Sequence, residues 1–140
     1  MLADISARCN TIEECYEFML AYAAQGLPSD EGSHSGGIRE YLGRAVRAMS
    51  GLAESCATAV KQERLEPAQR YQAFFAVLDR DARDSLAAVE LVLAQPTISS
   101  QLIDNLNASI HLRALLTDLF LVSEIANTQR RAAKPLASGS

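Results

Sequence analysis

The chain has 140 residues and a formal charge of −4, from 17 acidic and 13 basic side chains. That length suits a single domain with a core of its own. The scattered, net acidic charge offers no basic stripe to phosphates, which argues against nucleic acid as a partner. Only 7 Gly and 4 Pro, no Trp and abundant Ala and Leu favour helices over strands. The three cysteines, Cys9, Cys15 and Cys56, are odd in number and sit within apolar helical pattern, where cysteine packs as a small hydrophobe. A reduced, cytoplasmic setting is therefore expected. Met1-Leu2-Ala3-Asp4 lacks the charged start and apolar run of a signal peptide.

Leu2, Ile5, Cys9, Ile12, Tyr16, Met19 and Ala23 recur at spacings of three and four, one seam of a helix. Thr11 and Glu14 have capping-box spacing, but the unbroken seam predicts a single helix to about Gln25, stopped by Gly26 and Pro28. Residues 27–37, LPSDEGSHSGG, have no periodicity and are expected to form a flexible loop, long for a link between neighbouring helices. Gly36-Gly37 ahead of the next helix reads as a hinge, since no phosphate-loop lysine follows.

Ile38, Leu42, Ala45, Met49, Leu52, Cys56 and Ala59 continue the same spacing, with charged residues between them, and predict a second helix ending near Leu65. Glu40 and Arg44 are placed to pair on its surface. Pro67 suits the first turn of a third helix, whose seam is Tyr71, Phe75, Leu78, Ala82, Ser85, Val89 and Val92 and which Pro96 ends. Its charged residues, among them Asp79 and Arg83 one turn apart, read as a solvated face.

Thr97, Ser99 and Ser100 are N-cap candidates for a fourth helix running to Asn127. From Leu112 to Val122 this helix is apolar almost all round, with Asp118 the main polar break. A segment of that kind is covered on two sides. It is not a membrane span, which needs about 20 apolar residues, because Arg113, Thr117, Asp118 and Glu124 interrupt it. Residues 128–140 have no apolar face and are expected to form a flexible tail.

Four helices of similar length predict an all-α fold, an antiparallel four-helix bundle with up-down-up-down order preferred, over residues 1–127 as one domain. Bundles often hold a di-metal site built on paired Glu-x-x-His motifs. Here the one such motif, Glu31 with His34, falls in the loop, and His111 has Ala108 three residues before it. His111 also lacks the lysine and glycine that follow a phosphotransfer histidine. No nucleophile signature is present, so no catalytic residue, metal or cofactor is assigned.

Arg113, Thr117 and Glu124 share a face with Leu102, Leu106 and Phe120. Either the buried stripe turns toward Leu112, Leu115, Leu119 and Val122, leaving these polar residues at an edge, or Arg113 is buried. In the second case it needs a carboxylate from Asp79 or Asp81. The first arrangement is preferred.

The leading functional expectation is a non-enzymatic protein-interaction module, an adaptor, chaperone or regulator. It forms a homodimer through Leu112, Leu115, Leu119 and Val122, binds another protein, and engages neither nucleic acid nor membrane. The alternative is a small-molecule binder or enzyme with a pocket between helices, lined by Arg113, Tyr16, Tyr22, Tyr41 or Tyr71 and drawing on Thr117, Glu124 or Asp81.

Overall fold

The computed structural model describes residues 2–32 and 37–133, and within them the chain is all-α, six helices and no strand. Helix α1 (Leu2–Ala24) is continuous, as the seam requires. Ile5, Cys9, Ile12, Cys15, Met19 and Tyr22 are its buried residues, so the inward face lies one position off the expected Tyr16 and Ala23. Gly26, at φ +66°, supplies the left-handed residue that ends it.

The second expected helix is two. Helix α2 (Ile38–Met49) stops at Ser50, Gly51 turns the chain at φ +73°, and α3 (Leu52–Glu63) resumes. A break of this kind frees backbone carbonyls that must find donors. Arg8 of α1 supplies them, donating from Nη1 to the carbonyls of Ala48 at 3.0 Å and Ser50 at 2.7 Å while its Nε holds Asp4. The apolar spacing carries on across the break, which is why periodicity alone predicts one helix.

Helix α4 (Ala68–Leu93) buries the expected seam from Tyr71 to Val92. The pairs Glu40–Arg44 and Asp79–Arg83 form on the surface, at 3.4 and 2.9 Å.

The fourth expected helix also divides. Ser99 Oγ accepts from Leu102 N and caps α5 (Ser100–Ala108), Ile110 takes φ +62°, and α6 (His111–Ala133) follows. Helix α6 also runs beyond Asn127, where the flexible tail was expected to begin. The Gln129 carboxamide is bonded in both directions to the backbone of Glu66 and ties this last part to the α3–α4 link. The rest of the expected tail, 134–140, lies outside the described residues.

Helix α1 packs on α2, α3, α5 and α6, and α4 packs on α2, α3, α5 and α6, enclosing one apolar core. Among the described residues no helix is long and apolar enough to cross a membrane.

The loop after α1 is anchored in its first part, contrary to the expected flexible segment. Leu27 and Ser100 exchange hydrogen bonds, both 2.8 Å, and Ser100 Oγ donates to Tyr22 O. The Asp30 carboxylate accepts from Arg39 Nε at 2.6 Å and from Ile98 N at 2.8 Å, and Arg39 also donates to the carbonyls of Leu93 and Gln95. Burial opposes the Asp30 charge, but these donors outweigh it and hold the carboxyl below its ordinary pKa. His34 and Gly36 fall outside the described residues, and Gly37 is the extended residue before α2.

Candidate functional site

The seam between α4 and α6 holds the features with chemical content. Asp118, Val122 and Ile125, at i, i+4 and i+7, fall on the face of α6 toward α4. Opposite them α4 carries Tyr71, Phe74 and Asp81.

Midway along the seam Asp118, only 9% exposed, meets Asp81. No donor among the described residues reaches Asp118 Oδ2. Its hydrogen-bonding neighbour is the Asp81 carboxyl, an acceptor like itself unless one of the two carries a proton. Burial first, then the bond to Asp81 and the Asp81 charge, push Asp118 up to about 7. One turn on from Asp81, the Ser85 hydroxyl is buried without a partner as well. Burial and the neighbouring acid favour a proton on the pair, but Asp118 Oδ2 is closed to solvent, so this geometry does not present that atom to a substrate.

Toward the start of α4 the seam opens into an apolar groove of about 250 Å3, walled by Pro67, Tyr71 and Phe74 on one side and Leu121, Val122 and Ile125 on the other. Arg70 and Gln129 stand at its margin. Tyr71 is buried and its hydroxyl makes no hydrogen bond; burial raises its pKa, so it remains a donor. Among the described residues no acid pairs with Arg70.

The four expected interface residues, Leu112, Leu115, Leu119 and Val122, all face the chain's own core. The apolar surface that α6 leaves in water is instead Phe120, Leu121 and Ile125, at 46, 48 and 42% exposure. The break at Ile110 sets this rotation by starting α6 afresh.

Arg113 is exposed and forms no pair with Asp81, whose partner is Asp118. Thr117 is also exposed and bonds back to Arg113 O, and Glu124 reaches Arg131 at 3.7 Å. Arg113 and Thr117 do share a surface depression of about 310 Å3 with Ile110 and Asp118.

Of the four tyrosines, Tyr71 alone lines the groove. Tyr22 donates to Ile98 O, Tyr41 stacks on Phe18 with ring centroids 4.1 Å apart, and Tyr16 is half-buried against the core. The cysteines are free and buried, and desolvation lifts Cys15 and Cys56 to about 12 and, with Glu13 adding, Cys9 to about 11. Such thiols are poor nucleophiles at neutral pH.

Sequence reasoning passed over Arg70 and Phe74, whose place beside α6 depends on the pairing of helices. Asp118 had a signal of its own, as the main polar break between Leu112 and Val122. Compared with known proteins, the chain matches no family model, and neither the curated proteins nor the solved structures give a significant match.

Proposed function

We propose that this chain is a non-enzymatic small-molecule binder whose ligand lies in the α4–α6 groove. The observation that carries the reading is the apolar concavity itself, walled by side chains of two helices and leaving Leu121 and Ile125 partly in water. Binding sites are typically apolar hollows with a few placed polar groups. A ligand that covers Leu121 and Ile125 takes that apolar surface out of water. The proposal includes a reducing, cytoplasmic setting, in keeping with three buried free cysteines.

The groove sits in what we read as an antiparallel four-helix bundle, up-down-up-down, with α2–α3 and α5–α6 each forming one broken leg. The packing of α1 on α2 and of α4 on α3 and α6 supports this arrangement. Residues 1–127, with the remainder of α6, then form one domain.

Titration with 1-hexanol, followed by the methyl resonances of Leu121, Val122 and Ile125, tests the groove. Shifts confined to those methyls and lost in Leu121→Glu are expected. Shifts spread over the surface, or none, would remove the reading.

Phe120 favours a second reading. It is nearly half exposed and stands outside the groove, as a contact of a homodimer or of another protein partner would. Burying such side chains is worth about 1.5–3 kcal/mol each, against several kcal/mol lost in association. Sedimentation equilibrium at micromolar concentration decides it, with twice the chain mass for the wild type and a monomer for Phe120→Glu. Glutamate at Leu115 or Leu119 would test the core rather than an interface.

A further inference from the structure

We infer that the joint between α5 and α6 is a hinge for domain exchange, in which the two helices straighten into one and α6 packs on α1 and α4 of a second copy of this chain. The same α4–α6 groove forms whether one chain supplies both helices or two do, so the exchange goes beyond the ligand reading and does not rest on it. Ile110, at the joint, is a β-branched residue held at φ +62° with its side chain 59% exposed. Left-handed backbone of this kind is costly outside glycine, and at Ile110 no burial offsets the cost.

Nothing in the local sequence requires the bend. From Ser100 to Ala133 there is neither Gly nor Pro, and only Ser109 and Ile110 lie between the two helices. In the bent form Ile110 N reaches back to Asn107 O at 3.1 Å, and α6 opens with the bond from Ala114 N to Ile110 O at 2.8 Å. With Ile110 at a helical φ, the N–H groups of His111, Leu112 and Arg113 would instead donate to the carbonyls four residues before them. Ile110 would then join Ile103 and Leu106, the buried apolar residues of α5, at i, i+3 and i+7 on one stripe. At about 100° per residue, the same straight helix carries Leu112, Leu115, Leu119 and Val122 on the side nearly opposite. Its two buried stripes cannot both close on one core. Helix α5 therefore keeps its place on α1, and α6 is received by a second copy that returns its own α6 in exchange. Every contact of α6 with α1 and α4 recurs across the two-fold, so the exchanged dimer differs from the monomer chiefly at its two straightened joints.

Refolding of the full chain from urea at submillimolar concentration, followed by size exclusion and sedimentation, tests the exchange. A monomer and a dimer that persists on dilution are expected, since α6 must leave the core for the two to interconvert. Ile110→Gly should weaken the dimer about a hundredfold, because glycine accepts the φ of the bent joint and disfavours the straight helix, twice per dimer. Phe120→Glu should leave it unchanged, which separates an exchanged dimer from one joined at the Phe120 surface. Spin labels on Gln101→Cys and Asn127→Cys, both exposed positions, are read within one chain by dilution into unlabelled protein. The native cysteines are buried and take no label. In the dimer the labels should lie about 40 Å apart, the reach of a straight helix at about 1.5 Å per residue, and in the bent monomer closer. A wild type that refolds only as a monomer, a dimer indifferent to Ile110→Gly or lost in Phe120→Glu, or a label distance equal in the two forms overturns the hinge.

Discussion

Replacing Asp118 by asparagine removes a proton-binding site that the folded chain holds far more tightly than the unfolded one. The Asp118 carboxyl rises from 3.8 to about 7 because it is buried and because Asp81 is its neighbour. For an acid whose pKa is raised on folding, stability is greatest at low pH. It is lost as pH climbs from about 4, where the unfolded chain begins to ionise, to about 7, where the folded chain follows, and is level above that. At about 1.36 kcal/mol per unit, the full swing is about 4 kcal/mol. The substituted amide has no proton to lose, keeps the shape of the carboxyl, and brings an N–H donor to Asp81. Urea unfolding of the wild type and Asp118→Asn between pH 4 and 8 isolates the Asp118–Asp81 pair, since titrating groups away from it cancel in the difference. The variant should match the wild type near pH 4 and exceed it by about 2–4 kcal/mol at pH 8. A difference independent of pH, or a variant less stable at pH 8, would refute the shared proton.

Three further outcomes follow from single contacts. Ile110 is a β-branched residue at φ +62° with an exposed side chain, so Ile110→Gly should raise stability by about 1 kcal/mol in thermal or urea unfolding. Asp30→Asn loses a charge-assisted bond to Arg39 and should cost about 1.5–3 kcal/mol at neutral pH. Because the Asp30 pKa is lowered on folding, that cost should be present above about pH 4 and fade as pH falls through the folded value. Cys9, Cys15 and Cys56 should resist a thiol reagent in the native protein at pH 8 and react together on unfolding; fast labelling of any one would contradict its burial.

The long seams were legible because each buried stripe repeats every three to four residues, and α4 follows its seam from Tyr71 to Val92 without exception. Two breaks were not. Leu52 follows Met49 at the three-residue spacing that a straight helix shares, and the donor that stabilises the gap, Arg8, lies 40 residues before Ala48 in sequence. Ile110 carries no sequence mark of a turn at all, since isoleucine is among the residues least suited to positive φ. Because that turn resets the rotation of α6, the orientation of Leu112 to Ile125, and with it the groove, could not be read from periodicity alone. The Asp30–Arg39 anchor was hidden for a related reason: its partners come from the α4–α5 link, brought near only by the fold.

The ties at the end of α1 have a kinetic meaning. Leu27 and Ser100 are separated by 73 positions in the chain, Tyr22 and Ser100 by 78, and Asp30 and Ile98 by 68. Closing so long a stretch of disordered chain carries an entropy penalty that early, local helix contacts do not. These bonds are therefore expected to form late in assembly, and stopped-flow kinetics of Ser100→Ala should show unfolding accelerated more than folding is slowed. What they govern is how long a molecule, once folded, stays so.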